Sequence, residues 1–280
     1  MDYYFEYLSS IISFKKYTPQ PLTSQDKFYF SSSKTKIMQR PTLFLLLLVF
    51  TIACHNPNPK PTASIIVHGG AGYVTTDDMT EQEEEEVRAT IEKSLQKSNE
   101  HLANGGTSVE AVQIAINILE DSTHFNAGKG SVFTSAGTHE LDASIMNGEN
   151  VQAGAVAGLT NIKNPIDAAI AVMEHSPHVF LIGKGAEEFA AAHGMETVPQ
   201  SYFYNEDRYN EHIEDLHENN KKFGTVGAVA IDKNGNIAAG TSTGGMNNKR
   251  FGRVGDVPVI GAGTYAENGV GGLSATGHGE

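Results

Sequence analysis

The chain has 280 residues, with 39% hydrophobic and 19% charged, which excludes a disordered composition. Its formal net charge of −13, with no basic stripe anywhere, excludes nucleic acid as a partner, because phosphate binding needs a basic surface. A single cysteine, Cys54, excludes an internal disulfide framework, and the eleven histidines show no zinc-ligand spacing.

Met1–Ile37 carries no motif, and the chain is expected to start in truth at Met38, so 1–37 is left unassigned. Residues 42–53 (TLFLLLLVFTIA) form an apolar run. It is shorter than the ~20 residues of a transmembrane helix and suits the core of a secretory signal. Arg40 gives that signal a basic start, and Ala53-Cys54 ends it in the manner of a bacterial lipoprotein. Residues 38–54 are therefore read as a lipoprotein-type signal peptide, and 55–63 as a Pro-rich tether. A lipid on Cys54 would anchor the chain without spanning the bilayer. The expected location is exported: cell envelope or periplasm, lipid-anchored. A plain cleaved signal and a buried apolar strand are the other readings of this run.

Past the tether, Ser64–Val67 is a β-branched strand running into His68-Gly-Gly-Ala-Gly72. Thr80 opens a helix whose first turns hold Glu81–Glu86, where negative charge suits the dipole. Its face is Val87, Ile91, Leu95 and Leu102. Thr107 and Glu110 form a capping box for a second helix carrying Val109, Val112, Ile116 and Leu119. Leu141–Met146 and Val151–Ala157 read as strands joined at Asn147-Gly148. Asn164-Pro165 starts another helix. His178–Ile182 is expected as a strand and Ala186–Ala192 as a helix. Residues 195–222 turn polar and read as a loose linker. Thr225–Ile231 and Ile237–Thr243 then alternate as a hairpin about Asn234-Gly235.

Directly after that linker stands Gly224-Thr225. A threonine hydroxyl needs a base to become a nucleophile. If Thr225 became a chain terminus, its own α-amine, with a pKa of roughly 7.7–8, would be that base. Glycine before it suits a scissile bond in an unusual backbone conformation. On spacing alone, a threonine opening a strand is the commoner meaning. Other segments add chemistry. Thr241-Ser-Thr243 ends the partner strand with hydroxyls. Arg253 and Asp256 offer a cation and an anion, suited to the carboxylate and ammonium of an α-amino acid; read plainly, they are a surface ion pair. Thr276-Gly277 offers a hydroxyl and a backbone N–H, suited to an oxyanion hole; read plainly, it is a glycine turn.

Taken together, HGGAG (68–72), FNAGKGSVFT (125–134), HELDASIMNG (139–148), GAVAGL (154–159), NPIDAA (164–169), SPHVFLIGKGAEEFA (176–190), GTVGAVA (224–230), TSTGGMNNKRFGRVGD (241–256), GAGTYA (261–266) and TGHGE (276–280) resemble the plant-type asparaginase / isoaspartyl peptidase family of N-terminal-nucleophile hydrolases. The segments run in family order over 64–280.

The resemblance implies an α+β fold, the four-layer αββα sandwich, cut into an α chain 64–224 and a β chain 225–280. The family pattern continues past TGHGE, so the C-terminal part of that sandwich is expected to be missing and the β chain incomplete. By the same resemblance Thr225 is the cleavage residue and the nucleophile, Thr243 its supporting threonine, and Asn126 a residue that positions groups for cleavage. Arg253 would hold the substrate α-carboxylate and Asp256 its α-ammonium. Thr276 and Gly277 would form the oxyanion hole. The backbone carbonyls of Leu119, Glu120, Ser122, Phe125, Ala127 and Lys129 match the family's sodium loop and would ligate a structural Na⁺; no organic cofactor is expected. The implied substrates are L-asparagine and β-aspartyl dipeptides, and the implied assembly is a dimer of αβ units. Glycosylasparaginase chemistry and a non-catalytic binding lipoprotein are the alternatives.

Overall fold

The computed structural model describes residues 62–70, 79–218 and 224–277. The chain divides into two units, Met1–Asn56 and Pro57–Glu280, and every described residue belongs to the second. The unassigned 1–37, the signal 38–54 with Cys54, nearly all of the tether, and His278–Glu280 of the TGHGE segment lie outside the described residues.

Strand β1 (Ser64–His68) is followed by helices α1 (Glu81–Ala103) and α2 (Ser108–Glu120). Both helices start where short-range chemistry dictates. Thr80 accepts from Glu83 N–H at 3.2 Å while the Glu83 carboxylate accepts from Thr80 N–H at 2.8 Å, and Thr107 and Glu110 repeat the exchange at 3.3 and 3.0 Å. The two helices are tied by Ser94, whose hydroxyl donates to Ala115 O at 3.1 Å. A hairpin of β2 (Leu141–Asn147) and β3 (Gln152–Leu159) closes through 148–151; Asn147, expected in the turn, pairs with Gln152, and Val151, expected in the strand, lies in the turn with φ +59°. Helix α3 (Pro165–His175) has Asn164 at its N-cap position, but the Asn164 side chain makes no cap bond; its amide donates to the Glu120 carboxylate at 3.1 Å instead.

Further along, β4 (Phe180–Ile182) is shorter than expected and α4 (Gly183–Ala192) starts earlier. The polar stretch read as a loose linker holds a helix, α5 (Glu206–Glu218). Its first turn is capped by Asn205, whose Oδ1 accepts from the N–H groups of Asp207 and Arg208 at 2.8 and 3.2 Å. Arg208 donates to His124 O at 3.2 Å, and His212 packs on Phe133 with ring centroids 5.4 Å apart. The helix is dominated by charged and polar residues, and Tyr209 and Ile213 stay exposed on it.

The last strands are β5 (Val226–Ile231), β6 (Ile237–Thr243), β7 (Thr264–Glu267) and β8 (Gly271–Ser274). The main sheet has the order β1-β5-β6-β2-β3-β4, with β3 and β4 parallel and every other pair antiparallel. The late strands β5 and β6 thus enter the middle of the early sheet, between β1 and β2. One face of that sheet carries Val226, Ala228, Ala238, Ala143, Ile145 and Val156 into a core shared with Ala111, Val112, Ile116 and Leu119 of α2 and Ile166 and Val172 of α3. The other face is covered by the two-stranded β7-β8 sheet, with a small apolar cluster of Met146, Ala239 and Ala266 between them. Mixed α and β layers, helix on sheet on sheet, are therefore in place. Val270 and Leu273 stay exposed on the β7-β8 side. Among the described residues no helix is long and apolar enough to cross a membrane.

Candidate active site

Thr225 immediately precedes β5, and Thr243 ends the neighbouring strand β6. Both are buried, at 4% exposure each. The Thr225 hydroxyl lies 2.7 Å from Gly224 O and 3.1 Å from the Thr243 hydroxyl. Thr243 also donates to Gly224 O, at 3.0 Å, and accepts from Gly245 N–H at 3.0 Å. Asn126 supplies a third donor: its Nδ2 reaches Gly224 O at 3.0 Å and Gly245 O at 2.7 Å. Asn126 is itself held, since its Oδ1 accepts from Val132 N–H at 3.0 Å and its carbonyl from Gly244 N–H at 3.1 Å. Besides the Thr225 hydroxyl, the Gly224 carbonyl oxygen therefore faces two donors, Thr243 and Asn126, an arrangement that polarises a carbonyl for attack.

Glycine is required on both sides of this bond. A Cβ on Gly224 would stand 2.9 Å from Asn126 Cβ. Gly70 comes down from β1 onto the nucleophile: its φ is +111°, and a Cβ there would meet Thr225 N and O at 2.7 Å. Gly70 lies within the HGGAG run, but nothing in that run signals its close approach to Thr225.

Seven of the expected residues, Gly224, Thr225, Thr243, Arg253, Asp256, Thr276 and Gly277, line one cavity of about 20 Å³. That is room for about one water. Gly245, Met246, Gly255 and Val257 complete the lining and were missed as site residues; a position flanking a reactive threonine carries no signal of its own. Also missed was the charged group beside the site. Asp142 faces Thr243 across the strand pair and is fully buried. Burial pushes its carboxyl up, while Lys249, the Gly158 N–H and Arg253 favour the charged form. Lys249, 2% exposed, stands 3.4 Å from Glu140 and 3.9 Å from Asp142.

The expected sodium loop, 119–129, contains Asn126. A Cβ on Gly128 would strike Glu120 O, and one on Gly130 would strike Phe125 O, so these two oxygens lie close against the glycine turn. The Phe125 and Ala127 carbonyls also accept from Ala127 and Gly130 N–H, at 2.9 and 3.2 Å. The Glu120 side chain is buried against Ser242, at 2.6 Å, and Ile166 N–H, at 3.1 Å. Desolvation pushes its carboxyl up to about 8.

The asparaginase family model matches residues 61–280. The chain is 45% identical over 231 residues to the isoaspartyl peptidase of Escherichia coli (strain K12), covering 78% of this chain and 72% of that protein. It is 43% identical over 256 residues to a putative isoaspartyl peptidase/L-asparaginase of Dictyostelium discoideum, covering 77% and 74%. To the isoaspartyl peptidase/L-asparaginase of Homo sapiens it is 45% identical over 225 residues, covering 77% and 71%.

Proposed function

The chain belongs to the asparaginase family, and from that premise we propose that it is a self-cleaving threonine amidohydrolase acting on the side-chain amide of L-asparagine and on β-aspartyl dipeptides. One observation carries this reading: the hydroxyls of Thr225 and Thr243 and the amide of Asn126 converge on the carbonyl oxygen of Gly224.

In the first reaction the Thr225 hydroxyl oxygen bonds to the Gly224 carbonyl carbon. The Gly224–Thr225 C–N bond breaks, and the hydroxyl proton ends on the Thr225 nitrogen. Water then adds to the resulting ester, releasing the Gly224 carboxylate and restoring the hydroxyl beside a free α-amine. Departure of Gly224 enlarges the small cavity it now lines. In the second reaction the same hydroxyl attacks the substrate side-chain carbonyl. The α-amine takes its proton and passes it to the departing ammonia or amine. Water resolves the ester to aspartate. Arg253 holds the substrate α-carboxylate, Asp256 its α-ammonium, and Thr276 with Gly277 N–H receives the developing oxyanion; their common place in the cavity lining supports these roles.

Four finer features belong to the same reading. The fold is proposed as the αββα sandwich, supported by a helix layer and two stacked sheets. A Na⁺ is proposed on the carbonyls of Leu119, Glu120, Ser122, Phe125, Ala127 and Lys129, from family membership. The Thr42–Ala53 run and Cys54 support export with a lipid anchor. A dimer of αβ units is proposed from family membership.

The test is to incubate the purified chain and sequence the N-terminus of the smaller product. Thr225 is the expected first residue. The incubated chain should then release ammonia from L-asparagine and leucine from β-Asp-Leu. A different start, or full activity in Thr225→Ala, would sink the reading.

A further inference from the structure

Beneath the reactive residues lies a second row of polar side chains, in register with them. His68, Gly227, Thr241 and Ser144 are successive cross-strand partners on β1, β5, β6 and β2. Side chains alternate along a strand, so residues two apart share a face. Two residues on from these four stand Gly70, Thr225, Thr243 and Asp142, all at the site. On the covering sheet, Ser274 and Thr264 are cross-strand partners, and Ser274 stands two residues before Thr276.

Within this second row, hydroxyls join the main sheet to the covering sheet. The Ser274 hydroxyl lies 2.9 Å from His68 Nε2 and 2.7 Å from the Thr241 hydroxyl. Thr241 also lies 2.7 Å from the Thr264 hydroxyl and donates to Gly263 O at 2.9 Å. Thr264 lies 2.7 Å from the Ser144 hydroxyl, which donates to Val257 O, the residue after Asp256. Ser144, Thr241 and Thr264 are fully buried. Gly227 leaves the space that Ser274 and His68 fill; a Cβ there would collide with both.

The four hydroxyls carry one hydrogen each, too few for all these contacts. A hydrogen on His68 Nε2 adds a fifth donor, so this tautomer satisfies the row best: His68 donates to Ser274, Ser274 and Thr264 to Thr241, Thr241 to Gly263 O, and Ser144 to Val257 O. Burial lowers the His68 pKa and favours the neutral ring.

One row further from the site the same interface is apolar, with Val229, Ala239, Met146 and Ala266. Apolar residues would serve a purely structural middle row as well, without the need to satisfy buried polar groups. Directional bonds add fixed spacing between strands, and reaction rate is sensitive to spacing. We propose that Thr241 is a positioning residue. As the hub of this row it sets the distance between the Thr225–Thr243 pair on one sheet and the Thr276–Gly277 segment on the other. The inference rests on the proposed hydrolase function.

The test compares Thr241→Val, which removes the hydroxyl at nearly constant shape, with Thr241→Ser, which keeps it. Both are made in the full chain. The self-cleavage rate is followed on gels, and kcat and KM for L-asparagine are measured per cleaved chain, well below each variant's Tm. Thr241→Val should lower kcat roughly tenfold to a hundredfold with KM changed by no more than about threefold, and Thr241→Ser should recover most of the loss. A merely structural role would lower Tm and leave kcat per cleaved chain unchanged. The inference is overturned if Thr241→Val turns over like wild type, or if Thr241→Ser is no better than Thr241→Val. Should Thr241→Val not fold, Ser274→Ala reads the same quantity: a kcat equal to wild type overturns the inference, and a selective kcat loss upholds it. A wild type that neither cuts before Thr225 nor releases ammonia overturns the hydrolase reading itself. An active wild type with unaffected variants overturns only the role of Thr241.

Discussion

Thr225 and Thr243 end up side by side, hydroxyl oxygens 3.1 Å apart, because β5 and β6 pair in a register that sets Val226 opposite Ser242. Thr243 is thereby placed to touch both the attacking oxygen and the oxygen of the carbonyl under attack. Its own hydroxyl is oriented by the Gly245 N–H, which occupies a lone pair and leaves the hydrogen for Gly224 O.

Removing this donor should therefore slow self-cleavage more than it destabilises the fold. In Thr243→Ala the Gly224 carbonyl keeps Asn126 but loses the Thr243 hydroxyl, and the expected fall in cleavage rate is about 10²–10³-fold, the range for deleting one oxyanion-type donor. Thr243→Ser keeps the hydroxyl and should stay within about tenfold of wild type. Densitometry of uncut against cut chain over time measures both.

Asn126 should show a double effect. Its side chain bonds Gly224 O, Gly245 O and Val132 N–H. Asn126→Ala leaves the last two buried groups unpaired, at about 1–3 kcal/mol for an unsatisfied group. Cleavage should be slowed about 10²-fold or more, and Tm should drop by several degrees, measured by calorimetry on uncut protein. A variant with wild-type cleavage would remove Asn126 from the site.

What the sequence reveals about this protein follows the range of each interaction. The capping box at Thr107 is local, three residues from donor to acceptor, and forms as read; at Thr80, read only as a helix start, the structure adds a second box of the same kind. The β2–β3 and β5–β6 hairpins are equally local. Helix α5 is hidden because charged and polar residues dominate its composition, although Tyr209 and His212 pack on Phe133 and Arg208 bonds His124 O. The insertion of β5 and β6 between β1 and β2 is set by pairs such as Ile65 with Ala230, whose separation leaves no trace in either segment. The same holds for Gly70 on Thr225 and for the Asp142–Lys249 pair. The threonines, Arg253 and Asp256 were legible only as a set in family order; each alone reads as an ordinary strand, turn or surface residue.

Gly70 gives the sharpest steric prediction. Alanine there would need a φ of +111°, which costs a residue with a Cβ about 1–3 kcal/mol. It would also press a methyl against both Thr225 N and Thr225 O, 2.7 Å away. Because β1 is an edge strand, the sheet can yield at this point without unfolding. Gly70→Ala should keep its far-ultraviolet circular dichroism and lose self-cleavage. A cut as fast as wild type would show that Gly70 does not set the position of Thr225.

Acid stability should depend on Glu110, remote from the site. Its carboxyl is held down to about 2, below the ordinary 4.5, chiefly by the Thr107 N–H, then by the Thr107 hydroxyl and His101. A carboxylate whose folded value lies below its unfolded one contributes stability that is complete above pH 4.5 and lost as pH falls through about 2. The side chain is 54% exposed, so solvent screening keeps the contribution to no more than about 1 kcal/mol. Glu110→Gln can still cap the helix but cannot titrate. Its Tm should match wild type near the acid end, around pH 2, and fall below it by a few degrees at most above pH 4.5. Equal slopes of Tm against pH for the two proteins between 4.5 and 2 would show that the capping box does not shift Glu110.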